Sequence, residues 1–141
     1  MEATFDSIAT PEKPSTSRAA LWTGRVLTGL SSLFLLVDAG MKLVGSPVVA
    51  EASVRLGLPV EIGPAIGAIL LACVVLYLVP RTAVLGAVLL TGYFGGAILT
   101  HLRVGDPLFT HTLFPIYFGV FVWGGLFLRD ARVRALFGPV R

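Results

Sequence analysis

The sequence predicts an all-α integral membrane protein, a four-helix bundle with a short amphipathic helix between spans one and two. Of its 141 residues, 55% are hydrophobic and 13% are charged, which is about half the charged share of a soluble domain. The apolar residues occur in long runs, and a helix needs roughly 20 such residues to cross a bilayer. A chain of this length forms one domain, so we expect a single bundle whose main partner is the lipid bilayer.

The apolar runs give the boundaries of the spans, which we place at about 19–44, 60–79, 83–102 and 113–128. Residues 18–136 are therefore the predicted four-helix transmembrane domain. Residues 1–17 are rich in Pro, Ser, Thr and charge and are expected to form a disordered cytoplasmic tail, and 137–141 a second, short one. Between spans one and two, residues 45–58 have the apolar and charged pattern of a short amphipathic helix at the membrane interface.

Small residues predict where the spans contact each other. Gly63 and Gly67 in span two, and Gly92 and Gly96 in span three, are spaced four residues apart, a pattern typical of helices that approach closely. We therefore expect both pairs to lie in helix–helix contacts. The turn around Pro80–Thr82 is so short that spans two and three must be antiparallel neighbours.

The basic residues predict the orientation of the bundle. The formal net charge is +3, but the excess consists of arginines at span ends and no aromatic-rich basic face accompanies it, so we exclude nucleic-acid binding. With four spans, both tails and the Arg81 turn share one side, which holds most of the basic residues. The positive-inside rule then places both termini in the cytoplasm and the protein in the cell membrane. The single cysteine, Cys73, excludes self-contained dithiol chemistry.

The acids within the predicted spans, Asp38 and Glu61, and both histidines lie at or near the opposite ends of the spans. Ionisable groups at membrane depth are costly, and they are functional candidates for that reason. We predict that Asp38, Glu61 and His101 converge in one pocket that opens toward the outer face, as candidate catalytic groups. The candidate ligand-binding residues around them are Lys42, Tyr93, Arg103, Asp106 and His111.

The chemistry of this cluster has three interpretations. The helix dipole favours the imidazolium at His101, which ends span three, and the neutral ring at His111, which precedes span four, as in an acid/base pair. The two histidines could instead supply a metal site together with Glu61 and Asp38, but their spacing matches no established motif, so we assign no metal. A purely structural network is the third interpretation, and helix capping alone would explain Glu61.

Five segments of the sequence form a recognisable set. They are Gly24-Arg25-Val26-Leu27, Asp38 to Lys42, Gly57-Leu58-Pro59 with Glu61, Pro80-Arg81, and Gly92-Tyr93-Phe94-Gly95-Gly96-Ala97 through Thr100-His101-Leu102-Arg103. Together they resemble the DoxX-like family of small four-span bacterial membrane proteins. The resemblance covers residues 18–136 and implies a four-helix bundle in the bacterial inner membrane. Better-known relatives are associated with quinone-linked respiratory or sulfur-oxidising complexes, so a quinone is the cofactor that it suggests. Wider relatives carry cysteines for thiol redox work, which this sequence lacks.

Three classes of function remain open at this point. The first is an accessory or binding subunit that holds a quinone or lipid-like small molecule at the polar pocket and passes it to a membrane redox enzyme. The second is a small membrane enzyme that uses histidine and carboxylate groups for acid–base chemistry, an isomerase or lyase step on an apolar substrate. The third is a structural or chaperone-like membrane protein. The sequence leaves a homo-oligomer open in each case.

Overall fold

The computed structural model describes residues 17–137, and these form helices joined by short connections. The predicted tails, 1–17 and 137–141, lie outside the described residues except for Ser17 and Phe137. In chain order the helices are α1 (Arg18–Leu43), α2 (Pro47–Arg55), α3 (Gly63–Leu78), α4 (Ala83–Arg103), α5 (Phe114–Arg129) and α6 (Ala131–Leu136). A 3₁₀ turn over Val60–Ile62 leads into α3, and a π-helical turn over Leu108–Thr112 leads into α5.

The four long helices form a ring in the order α1, α3, α4, α5. Helix α1 packs against α3 and α5, and α4 packs against the same two helices. Within the described part of the chain, four helical segments are long and apolar enough to cross a membrane, so the predicted all-α four-helix membrane bundle is confirmed. We call the end that carries α2 and the 104–107 connection the loop face. The opposite end, which carries the start of α1 and the Pro80–Thr82 turn, is the terminal face.

Glycines set three of the close contacts between helices. A Cβ added to Gly67 of α3 would lie 2.9 Å from the carbonyl oxygen of Ala39 in α1, so the predicted contact at this glycine is confirmed. A Cβ on Gly24 of α1 would lie 3.0 Å from the Gly125 carbonyl oxygen of α5. On Gly86 of α4 it would meet the α3 backbone. At each point the two helices can approach because no side chain separates them.

The prediction for Gly92 and Gly96 is wrong. A Cβ at either position would have no heavy atom within 4 Å, apart from its chain neighbours and the nearby backbone of its own helix. The packed face of α4 is the stripe that carries Ala83, Ala87 and Leu90, and residues two positions beyond Leu90 point to the other side of a helix with 3.6 residues per turn. The four-residue spacing therefore places both glycines on one side of α4, but that side does not pack against another helix.

A buried tyrosine ties three helices together at the centre of the bundle. Tyr77 of α3 is fully buried, and its hydroxyl donates to the Val122 carbonyl oxygen of α5 at 2.8 Å. The hydroxyl of Thr28 in α1 lies 3.2 Å from the Tyr77 hydroxyl oxygen. Because a buried hydroxyl without a partner is costly in an apolar interior, these contacts favour one arrangement of α1, α3 and α5. The sequence pattern did not single out Tyr77.

The boundaries of the fourth span differ from the prediction. The span begins at Leu108 with the π-helical turn, and the α-helix follows at Phe114 without a side-chain cap at Leu113. The hydroxyl of Thr112, just before this helix, donates to the Asp106 carbonyl oxygen at 3.2 Å. Helix α6 was not predicted. Asp130 begins it by accepting a hydrogen bond from the Arg132 backbone N–H, as aspartate at an N-cap does.

Candidate functional site

The last turn of α1 contributes an ion pair to the loop face. Lys42 Nζ donates to Asp38 Oδ1, and both side chains are partly buried. The pair forms because residues four apart lie on one face of a helix, with the acid on the N-terminal side. The buried Ala39 lies beside them, against α3, so the pair lies on the side of α1 that faces the bundle.

The end of α4 folds back on itself and pairs a histidine with an aspartate. Gly105 has a positive φ of 72°, a conformation that glycine adopts without strain, and the Asp106 backbone N–H donates to the His101 carbonyl oxygen at 3.1 Å. This turn returns the Asp106 side chain to the His101 ring, where Nδ1 and Oδ2 are 2.5 Å apart. Since the carboxylate can only accept, Nδ1 carries the hydrogen and Nε2 remains for another partner.

Asp106 also connects this turn to α2. Arg55 Nη1 donates to Asp106 Oδ1 at 3.2 Å, while the His101 ring occupies Oδ2. The hydrogen bond from His101, with the positive charge of Arg55 beside it, lowers the pKa of the Asp106 carboxyl below its ordinary value. The carboxylate is therefore charged at neutral pH and can orient both partners.

A second contact holds the end of α2. Arg103 Nη2 donates to the Leu56 carbonyl oxygen, next to Gly57, whose φ is 66°. A side chain on Gly57 would begin 3.3 Å from the same guanidinium nitrogen. Two arginine contacts thus hold α2 against the end of α4 and the turn that follows it. Arg55 binds Asp106, and Arg103 binds the Leu56 carbonyl oxygen.

Between α2 and the bundle lies a cavity of about 530 Å³, which we call the α2 pocket. Its polar end is formed by Asp38 and Lys42 from α1 and by His101 from α4. Its apolar walls come from α2, α3 and the glycine face of α4, and include Val49, Ala52, Ile66, Ile69, Gly92 and Gly96. Ile69 is 58% exposed although it lies within a membrane span, so part of the apolar wall is uncovered within a span.

The structure brings some of the predicted site residues together and not others. Asp38, Lys42, Tyr93 and His101 all line the α2 pocket. Asp106 does not line it but hydrogen-bonds to His101, and Arg103 acts on α2 from outside. The site is therefore built by α1, α2 and α4, with α3 as its apolar wall.

Glu61 and His111 lie apart from this group. Glu61 is exposed in the 3₁₀ turn before α3 and does not line the α2 pocket, so the predicted convergence of three groups is wrong for this residue. A carboxylate there is stabilised by the helix N-terminus and needs no buried partner. His111 is exposed, its Nδ1 lies 2.9 Å from the Thr110 hydroxyl, and its ring centre is 6.1 Å from that of His101.

The metal interpretation finds no support in the geometry. Among residues 17–137, no three histidine, cysteine, aspartate or glutamate side chains lie close enough together to hold a metal ion. Cys73 is buried in α3, as expected of a small packing residue.

Helix α2 forms part of the site, which the motifs in the sequence did not indicate. Val49, Ala52 and Ser53 line the pocket, and Arg55 fixes Asp106. A signal was present, because the amphipathic pattern of this segment implies that one face must be covered by something apolar. The sequence-based prediction places that face against the membrane interface alone.

Comparisons with known proteins agree with the architecture. The family model described as the DoxX-like family matches residues 26–125, which include every residue that lines the α2 pocket. Searches of curated proteins and of solved structures each give no match. The match covers well over half of the chain, including the Asp38–Lys42 pair and His101. This chain belongs to the DoxX-like family.

Proposed function

We propose that this protein is a membrane-embedded binding subunit that holds a quinone or a similar lipid-like molecule in the α2 pocket. The observation that carries the proposal is a cavity of about 530 Å³ with one polar end and with apolar walls that belong in part to two membrane spans. Binding sites for small molecules typically measure about 300–1,000 Å³ and combine apolar walls with a few polar groups. A molecule with an apolar body and a polar head fits this division.

The polar end suits a head group that alternates between carbonyl and hydroxyl. Asp106 occupies Nδ1 of His101, so Nε2 is the nitrogen left for a ligand. When the ring is neutral, Nε2 accepts a hydrogen bond from a hydroxyl; when it is an imidazolium, Nε2 donates to a carbonyl. Lys42, in its pair with Asp38, adds a second donor. These properties support a quinone or quinol, and the molecule would then pass to a membrane redox enzyme.

The test is to identify what the full chain carries when it is purified in mild detergent. We expect mass spectrometry to detect an apolar compound with the wild type, and His101→Ala to reduce its amount on the order of tenfold, which corresponds to about 1.4 kcal/mol. His111→Ala is the matched control, because His111 is exposed and does not line the pocket, so its compound content should equal that of the wild type.

Two outcomes would count against this function. An equal loss of the compound in both histidine variants would mean that the pocket is not the site. A wild-type protein that carries only bulk lipid would favour the structural or chaperone-like class instead.

A small membrane enzyme is the second candidate, and the His101–Asp106 pair is the observation that favours it. A carboxylate that fixes the tautomer and orientation of a histidine is a common arrangement for general acid–base catalysis. Chemical conversion of the bound compound by the wild type, and its loss in Asp106→Asn, would distinguish the enzyme from the binding subunit. Binding without conversion supports the subunit.

The proposal includes an orientation with the terminal face in the cytoplasm of a bacterial inner membrane. The terminal face carries twice as many described basic residues as the loop face. They are Arg18, Arg25, Arg81, Arg129, Arg132 and Arg134 against Lys42, Arg55 and Arg103. Val104→Cys places a thiol in the exposed loop connection, while the native Cys73 is buried. We expect a membrane-impermeant maleimide to label intact spheroplasts of this variant; labelling of inverted vesicles alone would reverse the orientation.

A further inference from the structure

A second cavity lies at the terminal face, at the opposite end of the bundle from the α2 pocket. It measures about 240 Å³ and lies between the start of α1, the turn from α3 to α4 and the end of α5. Its walls are formed by Leu21, Arg25, Pro80, Ala83, Arg129 and Asp130. Because it shares no residue with the α2 pocket, an inference about it does not rest on the proposed function.

The lining of this cavity has an excess of positive charge. Asp130 is the single acid in it, and its carboxylate is already engaged by Arg132, at 3.2 Å from Nε and 3.0 Å from Nη2. The hydrogen bond from Arg132 lowers the pKa of the Asp130 carboxyl, which keeps this pair ionised. In the described part of the chain, neither Arg25 nor Arg129 forms a salt bridge. The Asp130 charge acts on both Arg132 and Arg129, so one carboxylate faces several guanidinium groups and a net positive charge remains.

Arg129 is held in place but lacks an acceptor for one of its donors. Its Nη2 donates to the Tyr77 carbonyl oxygen at 3.1 Å, and its guanidinium carbon lies 5.1 Å from the centre of the Tyr77 ring. Its Nε is buried and has no hydrogen-bond partner among the described residues. Leaving a buried donor on a charged group unpaired is expensive, so this guanidinium is incompletely satisfied and an anion beside it would be favourable.

The position of the cavity identifies the source of the anion. Arg25 lies over the ring of Trp22, 5.5 Å from its centre, and Trp22 is 62% exposed near the start of the first span. Exposed tryptophans at span ends lie at the level of the lipid head groups. Leu21, Pro80 and Ala83 supply apolar walls next to the two arginines, which suit the start of an acyl chain better than a free ion in water.

We propose that the terminal-face cavity binds the phosphate of an anionic phospholipid, with Arg129 and Arg25 as its cationic groups. Guanidinium groups bind phosphate oxygens through paired, charge-assisted hydrogen bonds, and basic pockets between spanning helices are a known type of lipid head-group site. A zwitterionic lipid is disfavoured, because its ammonium group would approach the same two arginines.

The test measures the thermal unfolding of the full chain in a neutral detergent as lipid is added. Phosphatidylglycerol should raise the unfolding temperature, and phosphatidylcholine should raise it much less. Arg25→Gln should increase the phosphatidylglycerol concentration for half of the effect on the order of fivefold, as removal of one arginine at a lipid surface implies. Arg25 is exposed, so this variant should fold.

Arg81→Gln is the matched control, because Arg81 is also exposed, lies in the adjacent turn and does not line the cavity. It should respond to phosphatidylglycerol as the wild type does. An equal loss in Arg81→Gln and Arg25→Gln would overturn the site in favour of diffuse surface charge. Stabilisation by inorganic phosphate that matches that of the lipid would overturn the lipid assignment. Arg129→Gln would be ambiguous, because Arg129 also donates to the Tyr77 carbonyl oxygen near the end of α3.

Discussion

Gly86→Ala is expected to destabilise the bundle by about 3 kcal/mol or more, the upper end of what overpacking usually costs. An added Cβ would lie 2.5 Å from the Tyr77 Cα and 2.7 Å from the Leu76 carbonyl carbon. Both are backbone atoms of α3, which cannot move aside as the end of a flexible side chain can. Helices α3 and α4 would have to separate at the point where Tyr77 also contacts α5. The unfolding temperature in detergent, followed by circular dichroism, measures the effect.

The control is Gly95→Ala, in the same helix. Gly95 is exposed, and an added Cβ would have no heavy atom within 4 Å outside its immediate surroundings. Since alanine favours the helix more than glycine does, this variant should unfold at or slightly above the wild-type temperature. Equal unfolding temperatures for the two variants would contradict the close crossing of α3 and α4.

Gly96→Leu should fill part of the α2 pocket, exclude a bound molecule and leave the bundle folded. Gly96 lines the pocket, and open space surrounds the position where its Cβ would be, so a leucine there extends into the cavity rather than into a neighbouring helix. If the α2 pocket holds the lipid-like molecule, its amount after purification should fall on the order of tenfold, because even 1.4 kcal/mol of lost affinity has that effect. Mass spectrometry of the purified protein measures the amount.

Gly95→Leu adds the same side chain one position earlier and serves as the control. Gly95 does not line the pocket, so this variant should retain the molecule. Both leucine variants should unfold within a few degrees of the wild type. Unchanged binding in Gly96→Leu would show that the α2 pocket is not the binding site. A large loss of stability would support the predicted helix contact at Gly96.

The spans, the short α2 helix and the tight turn between α3 and α4 could be predicted from the sequence. Each depends on local properties: the length of an apolar run, its period, and the number of residues between two runs. The ion pair of Asp38 and Lys42 belongs to the same class, because residues four apart in one helix are neighbours whatever surrounds them. The ends of the fourth span were less predictable, since a π-helical turn depends on contacts beyond its own residues.

The sequence alone thus determined the membrane-spanning architecture and the unequal distribution of basic residues between its two ends. It also determined the pairing of Asp38 with Lys42 inside α1. The tertiary structure decided which polar groups meet: it brought Arg55, 51 residues earlier in the chain, onto Asp106, and it left Glu61 exposed. It also decided that Gly86 forms the contact and Gly96 the pocket wall. The physical reason is that spacing fixes only which residues share a helix face, whereas the rotation of each helix is fixed by packing against its neighbours.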